Sequence, residues 1–127
     1  MRGETRNWWT QALADLEAAK VNLSASQYYV CAFLCHQAAE KALKAVIIEK
    51  LRELPPKNHN LLRLGERLSL TEELQAALRR LNPAYANARY PDAANGVPAE
   101  AFDEGMAQDH IAYSERVVEW ARKQLGL

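Results

Sequence analysis

His36-Gln37-Ala38-Ala39-Glu40-Lys41-Ala42-Leu43-Lys44-Ala45 lies inside a run from Glu4 to Leu54 that holds neither glycine nor proline, and its reading decides the fold. Around it Tyr29, Phe33, Leu43, Val46, Ile47 and Leu51 recur with small alanines between them, the pattern of a helix with a broad buried face. Ser24 or Ser26 is the expected start, since Ser24 and Gln27 have capping-box spacing, and Pro55-Pro56 stops the helix at about Leu54. A helix of about 28 residues is about 42 Å long and sets the long dimension of the molecule.

Upstream, Trp9, Ala12, Leu13, Leu16, Ala19 and Leu23 step by three and four, which predicts a first helix over about 5–23 that ends at Asn22 to Ser24. Downstream, His59 to Leu68 reads as a short helix, with His59 at its start in a capping or packing role. Thr71 has N-cap chemistry for a helix carrying Leu74, Ala77, Leu78 and Leu81, disturbed at its end by Pro83. The stretch 86–97 reads as an irregular loop. Pro98 is suited to N1 of a last helix with Phe102, Met106, Ile111, Tyr113, Val117, Trp120, Ala121 and Leu125 as its spine, on which Trp120, like Phe33 earlier, is an expected core residue. No period-2 run of β-branched residues occurs. The prediction is one all-α domain over 1–127, an antiparallel up-and-down bundle of four to five helices.

Lysine plus arginine and aspartate plus glutamate each number 16, for a net charge of zero, which argues against a protein-wide grip on nucleic acid or anionic lipid. No apolar run is long enough to span a bilayer and no apolar signal core follows Met1 to Asn7, so the expected setting is the cytoplasm, without a membrane. Cys31 and Cys35, four apart on one helix, read as small reduced residues at or near the core. Trp8 and Trp9 are adjacent and cannot share one helical stripe, so one of them is a candidate for the surface or for a subunit contact.

Common signatures of phosphate loops, dinucleotide folds, hydrolases and paired-cysteine sites are absent. Gln37, Glu40, Lys41 and Lys44 fall along one helical face. They read either as a solvated stripe with a Glu40–Lys44 ion pair, or as two lysines that meet another basic group across the bundle and hold a phosphate. Arg89-Tyr90-Pro91-Asp92 reads either as an arginine fork presented to an anion or as an Arg89–Asp92 clamp. His36 and Glu40 have the spacing of metal ligands, but two ligands do not make a site, and no metal or cofactor is expected.

Taken together, Trp9 with Ala14-Asp15-Leu16, Tyr28 or Tyr29 with Phe33, the Gln37 to Ala45 segment, His59 with Leu62 and Leu64, Arg89-Tyr90-Pro91-Asp92 and the aromatic last helix resemble the HEPN family across nearly the whole chain. The resemblance implies a helical bundle, often dimeric, and two kinds of activity. Small stand-alone members partner minimal nucleotidyltransferases, often in toxin–antitoxin modules. Others are metal-independent endoribonucleases with an Arg-x4-6-His motif. Here the window after Arg89 reads Ala94-Asn95-Gly96, and the next histidine is His110. Arg52 and His59 have the formal spacing but straddle Pro55-Pro56. The expectation is therefore a nucleotide- or phosphate-binding protein, self-associating and partnered by a separate nucleotidyltransferase, with Gln37, Glu40, Lys41, Lys44, Arg89 and Asp92 as ligand-binding residues. A ribonuclease using Arg89 with His59 or His110, acting on RNA, is the alternative, and a dimerising scaffold without ligand is a second one.

Overall fold

In a computed structural model describing residues 1–127, α1 (Gly3–Ser24) and α2 (Tyr28–Val46) form an antiparallel pair, with α8 (Glu104–Gln124) packed against both. Between them run α3 (Leu61–Glu66), α4 (Glu72–Leu81) and three single turns, α5 (Ala84–Asn87), α6 (Pro91–Ala94) and α7 (Pro98–Ala101). No strand is present, and the long helices α1, α2, α4 and α8 make the bundle. The accessible surface of 6838 Å² matches the value of about 6,800 Å² expected for this mass.

Alanine sets the closeness of the central pair. Ala12 and Ala19 of α1 and Ala38, Ala39, Ala42 and Ala45 of α2 are fully buried, so the two backbones approach without bulky side chains between them. Leu43, Val46 and Ile47 then meet Leu61, Leu64, Leu78 and Leu81 in one continuous core. Trp9 belongs to it, whereas Trp8 lies at its edge.

The turn between α1 and α2 differs from the expected capping box. Ser24 ends α1, its hydroxyl donating to the Lys20 carbonyl. Ser26 takes φ 61°, and the Gln27 and Ser26 N–H groups donate to the carbonyls of Asn22 and Leu23, the six-to-one and five-to-two bonds of a Schellman turn. Both serines thus close α1, and α2 begins at Tyr28. Its end also comes early. Ile47–Leu51 forms a π turn that stops at Arg52, whose φ of 55° reverses the chain before Leu54, a residue already disfavoured from helix by the proline after it. Glu49 of that turn accepts hydrogen bonds from the Arg2 N–H and the Thr5 hydroxyl, tying it to the start of α1, and these donors lower its pKa.

Asn60, and not His59, caps α3, its side chain accepting from the N–H groups of Leu62 and Arg63. The Asn82 side chain at the end of α4 accepts from the Leu61 N–H, so the loop before α3 is pinned to α4. Gly65 keeps α3 close to α4: a Cβ there would lie 2.9 Å from Leu78 Cδ1. Thr71 caps α4 as expected.

The stretch 86–97 is not an irregular loop. It carries the end of α5 and all of α6, with Pro91 at N1. Pro98 opens α7 rather than the last helix, which begins at Glu104 under an Asp103 cap that accepts from the Met106 N–H. On α8, Ile111, Val117 and Ala121 are buried, whereas Met106 is exposed. Phe33 and Trp120 are half-buried at the edges of the core rather than inside it. Both cysteines are buried and free. No helix is long and apolar enough to cross a membrane.

Candidate functional site

Residues 33, 37, 40 and 44 follow at steps of four, three and four, so Phe33, Gln37, Glu40 and Lys44 share one face of α2. The Glu40–Lys44 pair exists, but it is not solvated: both residues are only 3% exposed. Lys44 Nζ donates to Glu40 Oε2 at 3.0 Å and stands 5.3 Å from the centre of the Trp8 ring. His59 Nδ1 lies 3.0 Å and 3.1 Å from the two Glu40 oxygens. An ionised carboxylate only accepts, so Nδ1 carries the proton and Nε2 is the free nitrogen of a half-exposed ring. One buried carboxylate thus holds a lysine on one side and a histidine on the other.

His59 in turn lies on Tyr85, with ring centroids 4.3 Å apart and planes 12° from parallel. Tyr85 is delivered by α5, whose Ala84 packs with Ala88, Ala32 and Phe102 in a second small core. One turn further on, the Arg89 guanidinium carbon lies 4.8 Å from the Tyr85 ring centre, 5.3 Å from Phe33 and 4.9 Å from Tyr90. Arg89 is exposed and its guanidinium has neither an ion pair nor a hydrogen bond. The Arg89–Asp92 clamp does not form, and Asp92 accepts instead from the Ala93 N–H within its own turn. Three rings therefore position a cation whose charge no carboxylate neutralises.

The remaining candidates lie outside this stack of rings. Lys41 Nζ donates to Asp15 Oδ2 at 2.5 Å. Gln37 Nε2 donates to His36 Nδ1 at 3.2 Å. His36 is fully buried, and burial pushes its pKa down to about 4, against the smaller opposing pull of the Glu40 charge 3.8 Å away. Its Nε2 has no partner. His110 donates from Nδ1 to the Met106 carbonyl and meets the rings of Phe102 and Tyr113 at an angle. Arg52 sits at the end of the π turn with no hydrogen bond or ion pair. No three metal-ligating side chains converge.

The structure therefore brings Gln37, Glu40 and Lys44 together with His59, sets Lys41 beside them on Asp15, and connects Arg89 through Tyr85. Asp92 stands apart. Sequence reasoning missed the parts played by Tyr85 and Asp15. The signal for Tyr85 was its i, i+4 spacing to Arg89 in an alanine-rich segment, hidden once residues 86–97 were read as loop.

The molecule is thus a small all-α bundle whose central helix carries Gln37, Glu40 and Lys44 on one face and holds a histidine of the following loop through Glu40. The HEPN domain family matches residues 5–124, and the chain belongs to that family. TT1696 from Thermus thermophilus has a similar structure, with a TM-score of 0.90 at 26% identity over 97% of this chain and 99% of that one. ST0689, an archaeal HEPN homologue, is similar at a TM-score of 0.82 and 29% identity, covering 98% of each chain. An HEPN domain protein from Thermotoga maritima shares the fold, with a TM-score of 0.70 at 24% identity over 94% of this chain and 98% of that one. No match was found among curated proteins.

Proposed function

We propose that the surface built by Arg89, His59 and the rings between them binds the phosphate of a nucleotide, and that the protein binds without cleaving. The observation that carries this reading is the uncompensated Arg89 guanidinium over Phe33, Tyr85 and Tyr90. A guanidinium fork suits a phosphate, and an exposed tyrosine beside it offers a face on which a base can stack. Tyr90 is 46% exposed, enough for that contact. Gln37, Glu40, Lys41 and Lys44 act from behind: Glu40 holds His59 and neutralises Lys44, while Gln37 donates to His36 and Lys41 braces α2 against α1 through Asp15. Asp92 shapes the turn that follows Arg89.

In this reading the protein works in the cytoplasm as a homodimer beside a separate nucleotidyltransferase, in a module of toxin–antitoxin type. The resemblance to partnered small HEPN proteins motivates that part of the reading. Calorimetric titration with a panel of nucleotides, run beside an RNA-cleavage assay without metal, tests the reading: binding with no cleavage is expected.

One observation favours the ribonuclease alternative. His59 Nδ1 is held by Glu40, which leaves Nε2 free to accept a proton, while Arg89 contacts the same tyrosine. A ribose 2′-hydroxyl that lost its proton to Nε2 and attacked the adjacent phosphorus would expel the 5′-oxygen, which takes a proton from water, leaving a 2′,3′-cyclic phosphate and a 5′-hydroxyl. Metal-independent cleavage lost in both Arg89→Ala and His59→Ala would establish this reading and overturn the binding one.

A further inference from the structure

A second concave face lies towards the other end of the bundle. Trp120, near the end of α8, is a wall common to two clefts. One, of about 340 Å³, is lined by Val46, Leu51 and Leu68. The other, of about 500 Å³, runs between α4 and α8 past Leu74. Leu51 is 39% exposed and the indole is only half-buried, so apolar surface is left open in a hollow rather than on a ridge. Val46 lies about 20 Å along α2 from Phe33, the ring beside Arg89, which sets this face apart from the phosphate surface.

The charges along the two clefts do not cancel. Each lining carboxylate already has a cation: Glu73 pairs with Arg116 at 3.8 Å, Glu115 with Lys20 at 3.3 Å and Glu119 with Arg122 at 2.7 Å. Arg67 is paired with Glu53. Lys50 in the first cleft and Lys123 in the second are exposed, and their ammonium groups have neither an ion pair nor a hydrogen bond. The Ser69 hydroxyl and the Gln124 amide, both exposed in the first cleft, also have no partner and can bond a peptide backbone.

We propose that the Trp120 clefts dock an acidic, amphipathic segment of another protein. Apolar side chains one helical turn apart fill the hollows on either side of the indole, and carboxylates beside them meet Lys50 and Lys123. An anionic bilayer is the poorer fit, because a lipid sheet cannot enter the hollows and the carboxylates of Glu73, Glu115 and Glu119 would repel it. The proposal stands independently of the reading of Arg89.

Phage display of random dodecapeptides against the full chain tests it. Selected peptides are expected to carry two large apolar residues three or four positions apart with aspartate or glutamate beside them. A synthetic copy is expected to bind about tenfold more weakly to the double variant Lys50→Glu with Lys123→Glu, whose exposed positions leave the core intact. Exchanging the peptide's carboxylates for lysines should restore binding to that variant, and Arg89→Ala should bind the original peptide unchanged. Trp120→Ala, checked for folding by circular dichroism, is expected to lose the peptide; if it does not fold, the charge reversal decides. Selection of no acidic peptide, or equal affinity in the double variant, overturns the proposal. So does a dimer in sedimentation that the double variant breaks, which would assign the face to a second copy. Retention on phosphatidylglycerol vesicles that the double variant abolishes would overturn it in favour of a membrane.

Discussion

His59 and Tyr85 lie face to face, ring centroids 4.3 Å apart, and this stack joins a loop held by Glu40 to the helical turn that carries Arg89. The tyrosine is thus a platform shared by the imidazole and the guanidinium. Tyr85→Ala is therefore expected to weaken nucleotide binding although it removes no charge, and Tyr85→Phe to preserve it. Titration of both variants checks this. Equal affinity in Tyr85→Ala and the unmodified protein would show that the platform is irrelevant to binding.

Glu40 is a buried carboxylate between the Lys44 ammonium and the His59 imidazole, so removing its charge strands Lys44 at 3% exposure. Glu40→Gln is expected to cost about 3–5 kcal/mol, the usual penalty for leaving a buried charge unpaired. Replacing both partners, as in Glu40→Leu with Lys44→Met, should recover much of that loss. Urea unfolding of the single and double variants measures the difference.

His36 predicts a pH dependence of stability. Its pKa is pushed down from 6.5 to about 4 by burial, so the unfolded chain binds a proton more readily than the folded one. The sign follows: stability is complete above about pH 6.5, falls as pH drops, and reaches its full loss near pH 4. The gap corresponds to roughly 3 kcal/mol at about 1.36 kcal/mol per unit. His36→Leu should flatten the stability profile over that window, as unfolding experiments at pH 7, 5.5 and 4.5 would reveal.

Core position decides the cost of truncation. Leu43 is fully buried and Leu43→Ala is expected to cost about 2–5 kcal/mol, whereas Trp120, half-buried at the core edge, should cost less than the roughly 3–5 kcal/mol of a fully enclosed aromatic. Thermal or chemical melting ranks the two. A larger loss in Trp120→Ala than in Leu43→Ala would contradict this packing.

The four long helices were legible because each repeats its apolar spacing over several turns: Trp9, Ala12, Leu16 and Ala19 on α1, and Leu74, Ala77, Leu78 and Leu81 on α4 are buried as their periodicity requires. The single turns between Ala84 and Ala101 were not, since four residues contain no period to detect and their prolines resemble loop punctuation. The candidate site divides the same way. Lys44 and Glu40 are neighbours by helical spacing alone, but His59 reaches Glu40 across 19 residues of chain, by a loop whose path depends on Asn60, Asn82 and Gly65 packing against α4. Spacing pairs Lys44 with Glu40 but cannot show that the pair is buried, nor that Asp15, 26 residues away, satisfies Lys41.

The most direct measurement is a calorimetric titration of AMP and adenosine into the unmodified protein and into Arg89→Ala, both shown to be folded by circular dichroism. AMP is expected to bind more tightly than adenosine, and Arg89→Ala to lose about 1.5–3 kcal/mol of AMP affinity, more than a tenfold change, because a charge-assisted bond to phosphate has gone. An Arg89→Ala protein that binds AMP as well as the unmodified one, or an unmodified protein that binds no nucleotide, would contradict the assignment of Arg89 to a phosphate.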